Sequence, residues 1–194
     1  MNEQHITEQK SDSSWLQFIS KAYVQLLEEE NTRELGKLLA TANEHMQADW
    51  INKNTCLEVM LREDNDPNGT GYDLISSSGL RIQSKFRGGN SLFIEQTRRN
   101  SAKNKGAASR TGHVVPALGE CDVYIFTIPN GNYENPDECQ VLVIPEEVLE
   151  DPNNPGFLRP RVLMKHRRAY EGRAEEILNN LEREINEKRV FSRG

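Results

Sequence analysis

Hydrophobic residues recur at helical spacing throughout the first third of the chain. Three runs show this spacing: 15–30 (WLQFISKAYVQLLEEE), 33–46 (RELGKLLATANEHM) and 53–63 (KNTCLEVMLRE). In each run the apolar side chains stand three or four positions apart, which puts them on one face of an α-helix. The pattern therefore predicts three helices before residue 64.

The pattern changes after the turn-forming stretch 64–71 (DNDPNGTG). Five short segments rich in β-branched and aromatic residues follow, and each is bounded by glycine, proline, asparagine or serine. They are YDLIS (72–76), LRIQSKFR (80–87), SLFIEQT (91–97), CDVYIFTIP (121–129) and CQVLVIP (139–145). Apolar residues return to helical spacing over 167–188, which predicts a final helix.

This order of elements predicts a mixed α/β fold in which helices flank a central β-sheet. Between the third and fourth segments lies 98–113 (RRNSAKNKGAASRTGH), which has little apolar content. It is interpreted as a basic crossover, either a short helix or a mobile loop. We see no linker long enough to force two domains, so the prediction is a single domain over 1–194.

Composition indicates a compact globular protein and bears on where in the cell the protein lies. Of the 194 residues, 36% are hydrophobic and 28% are charged, and no apolar run approaches the roughly 20 residues of a membrane span. The three cysteines show no metal-ligand spacing, and their odd number argues against a disulfide framework. We therefore expect a cytoplasmic protein with no membrane partner.

The net charge of −6 conceals an asymmetry along the chain. Residues 81–113 contain eight Lys or Arg residues and one acid, which gives this stretch +7 and leaves −13 for the rest. Such clustering indicates a polyanionic partner more strongly than the total charge excludes one. The alternative is a basic loop that is simply solvated.

The stretch 72–85 (YDLISSSGLRIQSK) predicts a β-hairpin with a three-residue loop over 77–79. Gly79, at the last loop position, suits the positive φ that such loops need. The register pairs Ser76 with Leu80, Ile75 with Arg81, Leu74 with Ile82, and Asp73 with Gln83. Asp73, Gln83 and Lys85 then share one face, because strand side chains alternate. The opposite, apolar face carries Tyr72, Leu74, Leu80, Ile82 and Phe86.

A carboxylate, an amide oxygen and an ammonium group on one face suit metal-assisted cleavage of a phosphodiester. Mg²⁺ prefers oxygen ligands and keeps several waters, so one or two protein oxygens and the scissile phosphate suffice. The ion polarises the phosphate and lowers the pKa of a bound water, while a lysine stabilises charge in the transition state. Asp73, Gln83 and Lys85 are therefore candidate catalytic residues of a nuclease.

The arrangement D-(x)9-Q-x-K on adjacent strands resembles the PD-(D/E)xK nuclease superfamily, which includes many type II restriction endonucleases. The resemblance covers roughly residues 55–130 and implies a restriction-endonuclease-like fold. The catalytic core would span 53–150, between a helical N-terminal part (1–52) and a C-terminal helical part (151–194). Tyr72 stands at the position of the name-giving proline. Gln83 replaces the usual acid, in a Q-x-K form that some restriction enzymes of the superfamily share.

The resemblance also implies a role for each site residue. Asp73 and Gln83 would bind Mg²⁺ through side-chain oxygens, Ser84 through its backbone carbonyl, and Lys85 would position the attacking water. Glu58, on the predicted third helix, would be a further acid near the metal. Rival acids are Glu63, Glu95 and Asp122.

Basic and amide side chains around and after the hairpin are candidates for binding DNA. Lys and Arg neutralise phosphates, whereas Arg, Asn and Gln can form paired hydrogen bonds with base edges. The candidates are Arg81, Arg87, Gln96, Arg98, Arg99, Asn100, Lys103, Asn104, Lys105 and Arg110. A second basic stretch, 159–170 (RPRVLMKHRRAY), either grips flanking DNA backbone or is an ordinary helix entry with solvated arginines.

The implied function is that of a Mg²⁺-dependent type II restriction endonuclease acting on double-stranded DNA. A homodimer is expected, because palindromic DNA has two-fold symmetry, and a cognate DNA methyltransferase would be a genetic rather than a physical partner. Two alternatives stay open: a repair or resolvase nuclease indifferent to base sequence, and a catalytically silent DNA-binding protein, which Gln83 favours. A purely structural interpretation leaves Asp73 as a turn carboxylate, with Gln83 and Lys85 on the solvent face of an edge strand.

Overall fold

A computed structural model describes residues 32–62, 71–86, 92–94, 97–99, 114–129 and 139–191 of the chain. The chain divides into two units, Met1–Ala42 and Asn43–Gly194. In the first unit the described residues form the beginning of helix α1 (Thr32–Asn54), which matches the helix predicted over 33–46. The helix predicted over 15–30 lies outside the described residues, and the single domain stays a prediction.

The second unit is built on a five-stranded mixed sheet. Its strands are β1 (Val59–Leu61), β2 (Leu74–Ser76), β3 (Arg81–Phe86), β6 (Val123–Pro129) and β7 (Cys139–Pro145), and a separate pair consists of β4 (Thr97–Arg99) and β5 (Val114–Pro116). The order across the sheet is β1-β2-β3-β6-β7. The first three strands are antiparallel neighbours, β6 runs parallel to β3, and β7 runs antiparallel to β6.

Three helical elements follow the last strand: a 3₁₀-helix (Glu146–Leu149), α2 (Met164–Tyr170) and α3 (Ala174–Phe191). The predicted mixed α/β architecture with a central sheet is thus confirmed. The helix predicted over 167–188 is in fact two helices. They are separated by Glu171, Gly172 and Arg173, where Gly172 has a φ of 72°, a conformation that ends a helix and that glycine adopts readily.

Each face of the sheet carries its own hydrophobic core, because strand side chains alternate between the faces. The first cluster joins strand residues to α1 and α3: Ala48, Ile51, Leu57, Val59, Leu74, Leu80, Ile82, Val123, Ile125, Val143, Ala174, Ile177 and Leu178. The second cluster contains Leu92, Ile94, Ala117, Cys121, Tyr124, Phe126, Ile128, Leu142, Ile144, Leu149 and Leu158. The apolar residues whose helical spacing predicts the last helix lie on one face of α3, since Leu181 and Ile185 also pack against the first cluster.

The third predicted helix, over 53–63, is wrong. Helix α1 ends at Asn54, and residues 59–61 form β1. Leu57 and Val59 are buried, whereas Glu58 and Met60 are exposed, and this alternation has the two-residue period of a strand rather than the spacing of a helix. The side chain of Met60 is 60% exposed, which rules out the apolar helix face on which the prediction relied.

The strand predicted over 91–97 is also wrong at residues 92–94, which form no strand. Among its described residues, Phe93 forms a single β-bridge with Arg161, and the strand that follows begins only at Thr97. Strands β4 and β5 pair Thr97 with Pro116 and Arg99 with Val114. The two residues that flank the basic stretch 100–113, Arg99 and Val114, are therefore paired, and the stretch itself lies outside the described residues.

Candidate active site

The β2–β3 hairpin has two of the predicted residue pairs, whereas the predicted pairing of Asp73 with Gln83 is not among the strand pairs. Leu74 pairs with Ile82 and Ile75 with Arg81. The loop is closed by the N–H of Gly79, which donates to the carbonyl of Ser76 at 2.8 Å, and Gly79 has a φ of 89°. Glycine is needed here because other residues rarely adopt that conformation.

The serines of the loop bind a buried carboxylate that the sequence analysis missed. Ser76 and Ser78 lie 2.7 Å apart through their hydroxyl oxygens, and both donate to Oε2 of Glu182 on α3. All three residues are buried. The Ser76 hydroxyl also accepts from the N–H of Leu80 at 3.0 Å. The serine turn therefore attaches the hairpin to the C-terminal helix.

Asp73 lies just before β2, where the chain forms a β-bulge. Its N–H donates to the carbonyl of Ile82 at 3.0 Å, although Leu74 is the residue paired with Ile82. Asp73 and Leu74 on one strand thus lie opposite the single residue Ile82 on the other. This extra residue shifts the alternation of side chains between the two faces. For this reason Tyr72 packs against the second cluster and not on the face of Leu74, so the prediction for Tyr72 is wrong.

The carboxylate of Asp73 holds the part of β3 that extends past the end of β2. Its Oδ2 atom accepts from the backbone N–H of Ser84 at 2.9 Å and from Nε2 of Gln83. The carbonyl of Ser84 points to the same side of the strand as its N–H, as in any β-strand. The structure therefore brings the Asp73 carboxylate, the Gln83 amide and the Ser84 backbone together.

Burial and electrostatics act on Asp73 in opposite directions. Burial raises the pKa of Asp73 above its ordinary value, while the N–H of Ser84, the charges of Lys85 and Arg62 and the amide of Gln83 lower that pKa. Arg62 is a further site residue that the sequence analysis missed. Its Nη1 donates to the carbonyl of Tyr72 at 3.3 Å, and its guanidinium lies 5.4 Å from the centre of the Tyr72 ring.

Gln83 and Lys85 lie on the face of the second cluster. Across the parallel pairing with β6, Gln83 is opposite Tyr124 and Lys85 is opposite Phe126, both of which belong to that cluster. Lys85 is partly exposed. This shared face for Gln83 and Lys85 is the one that the hairpin pattern predicts.

Helix α1 fixes β3 from the opposite face through two buried amides, which the sequence analysis also missed. Nδ2 of Asn43 donates to the hydroxyl of Ser84 at 2.7 Å. Nε2 of Gln47 lies 2.9 Å from the hydroxyl of Thr127 and 3.3 Å from the carbonyl of Ile125. Two amides four positions apart on a helix share one face, and that spacing was the available signal.

Glu58 does not join this group of residues. It precedes β1 instead of lying on a helix, and its carbonyl accepts from the N–H of Ser77 at 2.9 Å, at the loop end of the hairpin. Asp73 lies at the other end of β2, about 13 Å away at the rise of a strand. The placement expected for Glu58 beside the metal site is therefore wrong.

Arg81 and the rival acid Asp122 form an ion pair away from Asp73. Nη2 of Arg81 lies 2.8 Å from Oδ1 of Asp122, and Nε and the backbone N–H of Arg81 donate to Oδ2. The pair borders a cavity of about 340 Å³ that also includes Glu146 and Lys188. This cavity lies at the start of β3, about 13 Å along the strand from Lys85.

Most of the DNA-binding candidates lie outside the described residues. Only the backbones of Arg98 and Arg99 are described, within β4. The candidates outside the described residues are Arg87, Gln96, Asn100, Lys103, Asn104, Lys105 and Arg110, and the acids Glu63 and Glu95 lie there too. Their roles stay predictions.

The described residues contain no group of three or more His, Cys, Asp or Glu side chains that could hold a metal ion. None of the described helices is both long enough and apolar enough to cross a membrane. No protein-family model matches the chain, and no curated protein matches it either. The case for a function therefore comes from the site itself.

Proposed function

We propose that this protein is a Mg²⁺-dependent DNA endonuclease of the type II restriction class, acting in the cytoplasm as a homodimer. One observation carries the proposal: the Asp73 carboxylate meets Gln83 and the Ser84 backbone where β3 extends past β2, with Lys85 on the same face as Gln83. This is the constellation that D-(x)9-Q-x-K implies for the PD-(D/E)xK superfamily.

The order of elements supports the same proposal. A helix, three antiparallel strands and a parallel strand after a crossover follow one another as α1, β1–β3 and β6. The resemblance, over residues 55–130, implies the strand meander and the later strand after a crossover; the helix that it implied at 53–63 is replaced by β1, and α1 precedes the strands instead. Asn43 and Gln47 hold α1 against the strands that carry Ser84 and Thr127, which gives the site a rigid support.

The oxygens of the site fit a hydrated Mg²⁺ once the Gln83 amide is turned. In the free protein Nε2 of Gln83 donates to Asp73, and half a turn of the amide would exchange that nitrogen for Oε1. Two oxygens would then face each other, an arrangement that a cation between them would stabilise. With the Ser84 carbonyl they make one anionic and two neutral ligands, leaving positions for water and a phosphate.

The chain's own residues would have two roles: to bind the metal ion, and to orient the attacking water or a phosphate oxygen. Asp73, Gln83 and Ser84 would hold the ion, which when bound supplies charge neutralisation and an acidified water. The Lys85 ammonium group would donate hydrogen bonds to the attacking water or to a phosphate oxygen, stabilising charge that builds in the transition state. The partial burial of Asp73 strengthens these interactions, because water screens them less there.

A second candidate is a catalytically silent DNA-binding protein on the same scaffold. The observation that favours it is the hydrogen bond from the Gln83 amide to Asp73, which holds the two side chains together without a metal. In such a protein, Asp73 and Gln83 would be structural partners.

Incubation of the purified protein with plasmid and phage DNA in Mg²⁺, in Ca²⁺ and in EDTA separates these functions. The proposal expects discrete fragments in Mg²⁺ only, and a loss of rate of about 10²–10³-fold for Lys85→Ala. Lys188→Ala, an exposed lysine on α3, is the matched control and should cut normally. Binding without cleavage would support the silent protein, and cleavage confined to nicks or junctions would support a repair nuclease.

A further inference from the structure

The stretch 159–168 collects positive charge that no acid of its own neutralises. It contains five Lys or Arg residues and one histidine, and no Asp or Glu occurs from 159 to 170: Arg159, Arg161, Lys165, His166, Arg167 and Arg168. We call residues 159–168 the basic segment. Lys165 and Arg168 are exposed to solvent, while Arg159 is partly buried.

The cations of the basic segment contact neutral groups or none. Nη2 of Arg167 donates to Oε1 of Gln140 at 3.2 Å, and the Arg161 guanidinium lies 4.8 Å from the centre of the Phe93 ring. Within the described part of the chain, none of them forms an ion pair, and Nε of Arg159 has no hydrogen-bond partner. Burial is the main cause that lowers the pKa of His166, and the charges of Lys165 and Arg159 lower that pKa further.

Two arginines outside the basic segment are paired with acids. Arg81 pairs with Asp122 and Arg173 with Glu176. The nearest acid along the chain, Glu171, accepts from the amide nitrogen of Gln140. A single glutamine thus stands between Arg167 and that acid. The charge of the basic segment is therefore available to an external polyanion.

The basic segment lies on the sheet face that carries Gln83 and Lys85. The N–H of Val162 donates to the carbonyl of Leu92 at 2.9 Å, and that of Arg159 to the carbonyl of Leu149 at 2.8 Å. Leu92 and Leu149 belong to the second cluster. The backbone of the segment therefore covers the same core against which the candidate catalytic face packs.

The sheet register places the segment close to Lys85 as well. Lys85 is opposite Phe126, and Phe126 is opposite Leu142. Gln140, which binds Arg167, lies two residues farther along β7 and on the same face. Two strand spacings and two residues of rise separate Lys85 from Gln140 by about 12 Å. One duplex spans that distance with several phosphates, since it carries a charge about every 1.7 Å of its axis.

We propose that the basic segment binds the phosphate backbone of the duplex that is cut at Asp73, Gln83 and Lys85. The proposal rests on the proposed function and adds a second contact surface to that site. Lys165 and Arg168 would supply exposed charges for these phosphate contacts. Duplex DNA is favoured over other polyanions because the segment and the candidate catalytic lysine share one face.

A salt titration of DNA binding tests the proposal without requiring cleavage. Binding of a short labelled duplex is followed by fluorescence anisotropy in Ca²⁺ and in EDTA, for the wild type and for K165A/R168A. Each phosphate contact contributes about 0.9 to the slope of log K against log salt, so the double variant should lose roughly 1.8 from that slope. The control R183A/K188A removes the same charge from exposed positions of α3, on the other face, and should keep the slope.

The outcomes separate this proposal from the proposed function. A slope that is equal in K165A/R168A and the wild type, or no binding of duplex at all, overturns the phosphate contact. A reduced slope in a protein that never cuts DNA in Mg²⁺ supports the contact and defeats the nuclease. Vesicles rich in phosphatidylserine are a further arm: if K165A/R168A weakens binding to them but not to duplex, the segment serves a membrane instead.

Discussion

Asp73 is the residue on which the proposed chemistry depends most. Its carboxylate accepts from Ser84 and Gln83, and burial raises its pKa. A carboxylate with a raised pKa lies in surroundings that disfavour its charge. A bound cation would remove that cost, so the residue is poised to gain more from Mg²⁺ than an exposed aspartate would.

The pH dependence of stability without metal follows from this shift. Because the pKa of Asp73 is higher in the folded than in the unfolded protein, the folded state binds more protons between the two values. Stability therefore falls as pH rises through that interval and is level above it. Glu146 is shifted in the same direction by burial, so Asp73→Asn isolates the contribution of Asp73.

We expect Asp73→Asn to flatten this part of the profile of melting temperature against pH in EDTA. Above the interval the variant should melt at or above the temperature of the wild type, because an uncharged amide is less costly to bury. Below the interval, where Asp73 is protonated, that advantage should be absent. A variant whose deficit is largest at neutral pH would show that the ionised carboxylate stabilises the fold, contrary to the role proposed here.

Gln83→Glu tests whether the site is a metal site that lacks one charge. In the metal-free protein the new carboxylate would lie beside Asp73, and the two like charges should destabilise the fold. With Mg²⁺ the second acid should strengthen binding by about tenfold, or ~1.4 kcal/mol. The rise in melting temperature across a Mg²⁺ titration measures this affinity.

The control for that titration is D73N/Q83E, which moves the acid without adding charge. It should not exceed the wild type in affinity for Mg²⁺. Equal Mg²⁺ responses in the wild type, Gln83→Glu and the control would argue that no ion binds between these positions, and would favour the silent DNA-binding protein.

At the scale of elements, the hairpin shows what the sequence could and could not predict. Its register followed from local information, since alternation along 72–86 and a single glycine decide it. The bulge at Asp73 was not predictable in this way, because alternation assumes that every residue advances the strand by one step. The hydrogen bonds of the serine turn were not predictable either, because their acceptor, Glu182, is more than a hundred residues away along the chain.

The helix predicted over 53–63, which contains β1, was wrong for a related reason. Leu57, Met60 and Leu61 satisfy helical spacing, and Leu57 and Val59 satisfy strand spacing equally well. Short apolar runs do not distinguish the two. Pairing with β2 decides the matter, since Val59 lies opposite Ser76 and Leu61 opposite Leu74. The candidate Glu58 was misplaced as a direct consequence.

Removal of a loop serine should loosen the hairpin from α3. Ser78→Ala leaves the buried carboxylate of Glu182 with one donor fewer, which should cost about 1–3 kcal/mol in the free energy of unfolding. Ser77 is the matched control, because its side chain is exposed and alanine keeps its N–H bond to the Glu58 carbonyl. Urea unfolding should find Ser77→Ala within about 0.5 kcal/mol of the wild type, and equal losses would remove the hydroxyl contact as the cause.

At the scale of the whole second unit, the two faces of the sheet differ in what they can bind. The first cluster is covered by α1 and α3, and α3 carries acids along its exposed side, at Glu175, Glu176, Glu184 and Glu187. The other face carries Gln83, Lys85 and the basic segment. Among the described residues, this second face therefore carries the side chains suited to a polyanion, and the acids of α3 discourage its binding on the first face.

Lysine footprinting can test this division directly. Duplex DNA in Ca²⁺ should protect Lys85 and Lys165 from acetylation by an N-hydroxysuccinimide ester, because a phosphate-bound ammonium group is shielded from the reagent. Lys53 on α1 and Lys188 on α3 are exposed on elements that cover the other face, and should react equally with and without DNA. Mass spectrometry of the digested protein gives all four rates in one experiment. Protection of Lys188 together with Lys85 would mean that DNA does not select one face, and protection of neither Lys85 nor Lys165 would place the DNA-binding surface outside the site proposed here.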